Sequence, residues 1–387
     1  MYIKRKEEDR LKEYLKSDKV LVLLGARQVG KTTLIKEVLK GEKVVFFNFD
    51  IEVDVGRFFS LASLPPKDVP RQLDMPKYLV IDEVQSKPEA FRIVKGWFDS
   101  AIPIKIILLG SSSSDIAKGT AESLAGRNEK LLLPPLMFSE VLSVEEWYNS
   151  DLSKGNLLQN FSSQISEILL RNITFGSYPE VVTTSDRLGI ISNLASDYLL
   201  KDVLRLGLVK DPSVIRKLIV LVARQIGSLV SVNELANTLG ISRLTVERYL
   251  DLLERTFVIF RLPAYSTNPR KEVNKSQKIY FWDTGVRNAV LGELSINVNR
   301  GDMGYLWENW VVAEFAKDIM ARNSLAKLHF WRSRGGSEID LVVGDGQTLS
   351  AYEIKWSKGR QSTKAFEEAY GIKPAIIDNS NPLFLIK

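Results

Sequence analysis

Short, continuous apolar runs alternate with helical periodicity over the first third of the chain. The runs are VLVLL at 20–24, KVVFFNF at 43–49, KYLVID at 77–82 and IKIILLG at 104–110. Uninterrupted apolar strands of this length are typical of a parallel sheet whose two faces are covered by helices. A charged helix is expected over 1–19, a second from about Thr32 to Leu39, and a last strand within 130–138. The pattern therefore predicts an α/β core.

The pattern changes twice after this core. Apolar residues at three- and four-residue spacing predict helices from about 140 to 227, and the segment 231–262 reads as a short helix, a turn at Gly240, a longer helix and a β-rich tail. Strands and helices alternate again after GYLWENW at 304–310. Three further parts of the chain are therefore expected beyond the core.

The segment GARQVGKTT at 25–33 follows the first apolar strand and opens a helix. Its spacing of glycine, four residues and Gly-Lys-Thr is that of a phosphate-binding loop, in which backbone N–H groups at a helix N-terminus hold phosphate oxygens. Lys31 is predicted to neutralise the outer phosphates and Thr32 to place its hydroxyl on Mg²⁺. The predicted nucleotide-contacting residues are Gly25, Arg27, Gln28, Val29, Gly30, Lys31, Thr32 and Thr33.

Paired carboxylates end the strand YLVIDEVQ at 78–85. Asp82 is predicted to hold Mg²⁺ through water, and Glu83 to polarise the water that attacks the γ-phosphate. An acidic helix N-cap is the alternative, and it is the weaker one beside a phosphate-binding loop. The two motifs together predict binding and hydrolysis of ATP with Mg²⁺.

With GSSSS at 110–114 and SLAGR at 123–127, these motifs resemble the AAA-type P-loop ATPases of bacteria and archaea whose chains end in a nuclease-like region formerly of unknown function. The resemblance implies that Ser111 senses the γ-phosphate. It also implies that Arg127 is either an arginine finger aimed at a neighbouring subunit, which would require a homo-oligomer, or part of a surface salt bridge. Arg27 resembles the residue usual at its place in these proteins.

The helix-turn-helix segment admits two roles. Such a module places its second helix in the major groove of DNA, where Arg243, Thr245, Arg248 and Tyr249 could reach phosphates or base edges. The other role is packing between domains, because Glu247, Asp251 and Glu254 dilute the positive charge of the same helix. Both roles stay open at this point.

The strands EIDLVV and AYEIKW carry the last candidate chemistry. Asp340 lies on the first, and period-two alternation puts Glu353 and Lys355 on one face of the second. Two carboxylates near a lysine suit metal-dependent phosphodiester cleavage, and the arrangement resembles the PD-(D/E)xK nuclease core. Glu308 is then the expected additional acid, with Glu338 nearby and Glu314 as a rival. A solvent-facing strand of alternating charge is the structural alternative, and His329 is expected to be structural.

The amino-acid composition excludes several classes of protein and of binding site. The chain of 387 residues has no cysteine, which excludes disulfides and cysteine-based zinc sites, and 53 basic against 47 acidic residues give a mild excess of +6. Its apolar runs are far shorter than the roughly 20 residues that a bilayer requires, and residues 1–10 have no secretory core. We therefore expect a soluble, cytoplasmic protein with no membrane partner.

These observations predict four domains. They are an AAA-type ATPase core at 1–145, a helical lid at 146–212, a winged helix-turn-helix at 213–290 and an α/β restriction-endonuclease-like domain at 291–387. The expected cofactors are ATP and Mg²⁺, with a second Mg²⁺ or Mn²⁺ at the C-terminal site, and DNA is the expected partner. The alternative function is a nucleotide-switched regulatory or scaffold ATPase whose C-terminal domain binds nucleic acid without cleaving it.

Overall fold

The structure is a computed structural model that describes residues 1–111, 123–198, 211–266, 277–333, 335–357 and 364–386. Ser112–Ser114 of the predicted sensor segment, Arg334 and residues 199–210 of the predicted helical region lie outside the described residues. The chain divides into two compact units, Met1–Pro134 and Pro135–Lys387. The four predicted domain boundaries stay predictions.

The first unit is built on a five-stranded parallel sheet. Its strands are β1 (Val20–Leu24), β2 (Val44–Asn48), β3 (Tyr78–Asp82), β4 (Lys105–Gly110) and β5 (Asn128–Leu132). Their order is β2-β3-β4-β1-β5 and all neighbours are parallel, as the unbroken apolar runs predict. β1 is buried at all five positions, since parallel strands are covered on both faces.

Helices connect these strands. They are α1 (Glu8–Tyr14), α2 (Lys31–Val38), α3 (Glu52–Ala62), α4 (Val69–Gln72) and α5 (Ala90–Asp99), with short 3₁₀ turns at Pro66–Asp68 and Val84–Ser86. The charged helix expected over 1–19 is shorter than predicted, because the chain is helical only from Glu8 to Tyr14. Phe58 on α3 packs edge to face against Phe47 of β2 and tilted against Trp97 of α5, which fixes these helices on the sheet.

The second unit begins with helices. They are α6 (Phe138–Leu142), α7 (Lys154–Phe175), α8 (Pro179–Thr183), α9 (Arg187–Asn193), α10 (Pro212–Arg224), α11 (Val232–Leu239) and α12 (Arg243–Arg255), and a π-helical turn covers Leu194–Tyr198. Gly240 ends α11 with a left-handed backbone, and Ser242 begins α12 by accepting a hydrogen bond from the Thr245 N–H. Two helices joined by a turn at Gly240 therefore form within 231–262, as the sequence predicts.

Two sheets complete this unit. The first is antiparallel, with β6 (Leu229–Val230), β7 (Ile259–Pro263) and β8 (Gln277–Phe281) in the order β6-β8-β7. The helices α13 (Thr284–Leu291) and α14 (Met303–Arg322) come next. The second sheet contains β9 (Lys327–Arg332), β10 (Glu338–Gly344), β11 (Leu349–Ile354) and, after α15 (Lys364–Tyr370), β12 (Ala375–Ile377). Its order is β12-β11-β10-β9, and only the β11–β12 pair is parallel.

Most of α14 is buried, which explains why its sequence lacks a polar face. Trp307 is fully buried and stacks on Trp310, while Asn309 exchanges hydrogen bonds with both backbone groups of Phe281 on β8. A helix buried on nearly all sides is typical of a core element. No helix in the described ranges combines the length and apolar character needed to cross a membrane.

Candidate nucleotide site and C-terminal acidic cluster

The loop between β1 and α2 leads into the helix N-terminus as the spacing predicts. Gly30 is the N-cap of α2 with φ 93°, a left-handed conformation that side chains rarely adopt. A Cβ on Gly25 would lie 2.2 Å from the carbonyl oxygen of Leu133, so the backbone at this position has no space for one. The glycines therefore allow the curl that points backbone N–H groups into the loop.

Two cations hold this loop from opposite sides. Lys31 Nζ donates hydrogen bonds to the carbonyl oxygens of Gly25 and Ala26, at 3.0 and 2.9 Å. Arg5 is buried and donates to the carbonyl oxygens of Val29 and Pro134, at 2.9 and 2.7 Å. The sequence pattern gave Arg5 no role, because it lies in a charged stretch that reads as solvated helix. Its two bonds connect the start of the chain to the phosphate-binding loop.

Thr32 and Asp82 meet at the head of the loop. Thr32 Oγ1 donates to Asp82 Oδ2 at 2.6 Å, and Asp82 Oδ1 accepts from the Glu83 N–H at 2.9 Å. They come from the first turn of α2 and the end of β3, which lie at the same edge of the parallel sheet. A hydroxyl and one carboxylate are oxygen donors that suit Mg²⁺, which keeps several waters and takes few protein ligands.

Glu83 lies at the centre of a cluster of polar side chains. Its backbone is left-handed with φ 54°, an unusual conformation for a residue with a side chain and one found often at functional sites. Glu83 Oε2 accepts a short hydrogen bond from Gln85 Nε2, and Ser111 Oγ lies 3.5 Å away. Gln85 Nε2 also donates to Ser111 Oγ at 3.1 Å, and Arg27 Nη2 lies 3.9 Å from Glu83 Oε2. Gln85 therefore joins the predicted base to the predicted sensor.

The surroundings of Glu83 shift its titration. Burial raises the pKa of Glu83, and the positive charges of Lys31 and Arg27 counteract this only in part. Asp82 and Asp50 add to the upward shift because like charges disfavour ionisation. A carboxylate with a raised pKa at the end of a nucleotide loop is suited to accept a proton from water.

The remaining predicted residues of this unit differ in exposure, and Val29 is fully buried. Thr33 is exposed on α2, and Gln28 has a left-handed backbone with φ 60°. Arg127 donates to both carboxylate oxygens of Asp99, at 2.6 and 3.4 Å. The surface salt bridge, one of the two alternatives for Arg127, is thus present within one chain. Its role as an arginine finger stays a prediction, as does the homo-oligomer.

The C-terminal strands bring three of the predicted nuclease-like residues together. Lys355 Nζ lies 2.9 Å from Glu353 Oε1 and 3.6 Å from Asp340 Oδ2. Asp340 Oδ2 also accepts from the Ile354 N–H at 2.8 Å. The register between β9 and β10 shifts between Ile339 and Val342, the segment that contains Asp340, as it does at a β-bulge. Sequence alternation predicts the neighbours but not the bulge.

Glu308 and Glu314 face different surroundings, as their helical spacing predicts. Glu308 Oε1 accepts from Tyr280 Oη at 2.6 Å and from Lys278 Nζ at 2.9 Å, and burial raises its pKa to about 6 while Lys278 opposes this shift. Glu314 instead pairs with Lys317 at 2.9 Å and accepts from the Phe138 N–H. Glu314 is therefore occupied elsewhere, and Glu308 is the helix acid whose pKa is raised further by the charge of Asp340.

We call Glu308, Glu338, Asp340 and Glu353 the acidic cluster. Within the ranges that the structure covers, no group of three or more His, Cys, Asp or Glu side chains is arranged to hold a metal ion. The predicted second Mg²⁺ or Mn²⁺ is thus unsupported. His329 is buried and packs edge to face on Tyr265, which agrees with a structural role.

Only some of the α12 residues that were expected to reach DNA are exposed. Arg243 and Arg248 are exposed, and Leu244 between them is 79% exposed. Tyr249 is buried, so the expectation that it reaches DNA is not met: it packs in the core on the opposite face of α12. The acids Glu247, Asp251 and Glu254 all contact Arg261 on β7.

Three family models match separate parts of the chain. Residues 17–142 match the AAA domain, while residues 166–296 and 303–382 match two domains of unknown function, DUF8612 and DUF4143. The uncharacterised protein Rv2008c of Mycobacterium tuberculosis is 28% identical over 390 residues, which cover 98% of this chain and 78% of that protein. MJ1544 of Methanocaldococcus jannaschii, also uncharacterised, is 27% identical over 94% of this chain and 81% of its own.

One solved structure shares the fold over most of its own chain and three quarters of this one. The Walker-type ATPase PABY2304 of Pyrococcus abyssi superposes with a TM-score of 0.53 and 15% identity, covering 75% of this chain and 96% of its own. The parallel sheet, the phosphate-binding loop and the carboxylates that end β3 agree with the AAA match over residues 17–142, so this part of the chain has the fold of a P-loop ATPase domain.

Proposed function

We propose that the protein hydrolyses ATP at the edge of the parallel sheet where Thr32, Asp82 and Glu83 lie. The observation that carries this proposal is the 2.6 Å bond between Thr32 and Asp82, which places two oxygen donors beside the predicted base. Backbone N–H groups of the loop and Lys31 would hold the phosphates, and the Thr32 hydroxyl and Asp82 would hold Mg²⁺. Bound Mg²⁺ supplies charge neutralisation on the phosphate oxygens.

In this mechanism Glu83 takes the proton of the attacking water, while Ser111 contacts the γ-phosphate. Gln85 donates to both of these side chains and so sets their separation. Its own Oε1 is buried and makes no hydrogen bond within the described residues, which leaves it available to accept one from the attacking water. Gln85 thus acts as a positioning residue that holds the base against the sensor.

A second part of the proposal concerns DNA, and the contacts of Arg261 favour it. Glu247, Asp251 and Glu254 recur at a spacing that puts them on one face of α12, and Arg261 contacts all three and offsets one of their three negative charges. Arg243 and Arg248 on α12 are exposed, as are the polar Asn237 and Thr238 of α11. Arg243, Arg248 and Arg261 together balance the three acids, so this helix does not present a net negative charge to a phosphate backbone. We infer that this winged helix binds duplex DNA with the N-terminal part of α12.

Replacing the base should separate binding from hydrolysis. In Glu83→Gln we expect ATP turnover to fall by about 10²- to 10⁴-fold, the usual contribution of a general base, with ATP affinity nearly unchanged. Lys31→Ala should lose ATP binding itself, because the loop loses the cation that faces the phosphates. Steady-state turnover and equilibrium binding of a fluorescent ATP analogue measure the two effects. Glu89→Gln, at an exposed site nearby, is the matched control, and wild-type turnover in Glu83→Gln would refute the assignment.

The pH profile tests Gln85. Because the pKa of Glu83 is raised, turnover should decline on acidification at a pH above the range of an ordinary glutamate, about 4.3. Gln85→Ala removes a donor that favours the carboxylate, so the acidic limb should move to higher pH. Gln72→Ala, an exposed residue on α4, should leave the profile unchanged. If the acidic limb of Gln85→Ala coincides with that of wild type, Gln85 does not position the base.

The exposed arginines can be tested through salt dependence. Arg243→Ala and Arg248→Ala should each weaken binding to duplex DNA and lower the slope of log affinity against log salt by about one for every lost phosphate contact. Fluorescence anisotropy with a labelled duplex over a salt series measures both quantities. Arg216→Ala on the exposed face of α10 is the control. A double Arg243/Arg248 variant that binds DNA like wild type would exclude this surface.

A further inference from the structure

Lys278 brings a positive charge into the acidic cluster from outside the predicted nuclease motif. It lies on β8, in the antiparallel sheet that follows the helix-turn-helix, and its residue is only 1% exposed. Its Nζ lies 2.9 Å from Glu308 Oε1 and 2.6 Å from Glu338 Oε1. A buried ammonium is stable only when it is paired and hydrogen-bonded, and here two carboxylates provide that pairing.

Further contacts hold Lys278 in one place. Its ammonium lies 5.6 Å from the ring centroid of Phe330 on β9, and Tyr280, two residues along the same strand, donates to the same oxygen of Glu308. Burial lowers the pKa of Lys278, but Glu308, Glu338 and Asp340 raise it by more, so it stays charged at neutral pH. The oxygen Glu308 Oε1 thus already accepts two donors from the protein.

The other acids of the cluster are paired with a second lysine. Lys355 contacts Glu353 and Asp340, and Asp340 also accepts from the backbone of Ile354. Glu353 Oε2 is buried and has no hydrogen-bond partner among the described residues. One such oxygen falls short of the set of convergent oxygens that Mg²⁺ or Mn²⁺ requires. Each of the four carboxylates of the acidic cluster therefore has a lysine beside it, and the two lysines offset half of their negative charge.

This arrangement does not fit the metal that the nuclease resemblance implies. A divalent cation bridging Glu308, Glu338 and Asp340 would have to displace the ammonium of Lys278, whose side chain is only 2% exposed. Displacement would leave a buried unpaired charge, which is costly. The geometry matches a closed ion-pair network that links the antiparallel sheet to α14 and β10.

We propose that Lys278 is the resident cation of the acidic cluster, taking the place that a divalent metal holds in a nuclease of this fold. The C-terminal domain then keeps the nuclease-like framework without metal-dependent cleavage. This proposal is independent of ATP hydrolysis, because it concerns only residues of the second unit.

Metal binding to the full-length protein without nucleotide tests the proposal. Mn²⁺ titrations followed by electron paramagnetic resonance should give the same isotherm for wild type and Asp340→Asn. In Lys278→Met we expect Mn²⁺ affinity to rise by about tenfold or more, because two carboxylates lose their internal cation. Lys327→Met, the same change at an exposed position of β9, should behave like wild type. Mn²⁺ should also raise the melting temperature of Lys278→Met alone.

Three outcomes would overturn the proposal. The first is Mn²⁺ binding by wild type that Asp340→Asn weakens, and the second is metal-dependent nicking of plasmid DNA that Asp340→Asn abolishes. The third is a folded Lys278→Met protein that binds no more Mn²⁺ than wild type. If Lys278→Met does not fold, Lys278→Gln replaces it, because its amide can still donate a hydrogen bond to a carboxylate while the positive charge is removed. The Mn²⁺ affinity of this variant is then compared with that of wild type in the same way.

Discussion

The carboxyl ends of β1, β3 and β4 meet at one edge of the sheet because β4 pairs in parallel with both of its neighbours. Every group of the nucleotide site depends on this constraint. β1 delivers the phosphate-binding loop, β3 delivers Asp82 and Glu83, and β4 delivers Ser111, although these residues are far apart along the chain. Parallel strands require crossover helices, and α2 is the crossover whose N-terminus faces the same edge. The order and direction of the strands thus bring these segments to one edge of the sheet, independently of their side chains.

In the second unit the main constraint is the pairing of buried charge. Lys278 is held by Glu308 and Glu338, Lys317 by Glu314, and Asp283 by the N–H and hydroxyl of Ser177. Each group would be strongly destabilising if it were left alone in the interior. Lys317 and Glu314 lie one turn apart on α14, but the Lys278 and Asp283 pairs connect elements distant in the sequence and so specify which elements pack together. The acidic cluster is one of these networks, which is why a catalytic motif and a structural one look alike in the sequence.

The sequence was most informative where the chemistry is contiguous. The glycines, Lys31 and Thr32 lie in one short segment, and Asp82 and Glu83 end one strand, so local spacing is enough to single them out as one candidate site. Gln85 lies in the same motif, but nothing local indicates that its amide turns back to Glu83 and forward to Ser111. Arg5 was assigned to a solvated helix because nearby charges hide a buried arginine. Tyr249 was assigned to the wrong face because recognition helices also need apolar residues for packing.

The sequence by itself determined the nucleotide-binding class, the parallel sheet and the presence of an ExK-type strand, since each depends on a local pattern of apolar and polar positions. Only the tertiary structure decided what the acids do. Whether Glu247, Asp251 and Glu254 repel a polyanion depends on Arg261, and whether Glu308 and Glu338 can hold a metal depends on Lys278. The energy of a charge is set by its nearest opposite charge and its exposure to water. Those neighbours come from other strands, and spacing along the chain does not reveal them.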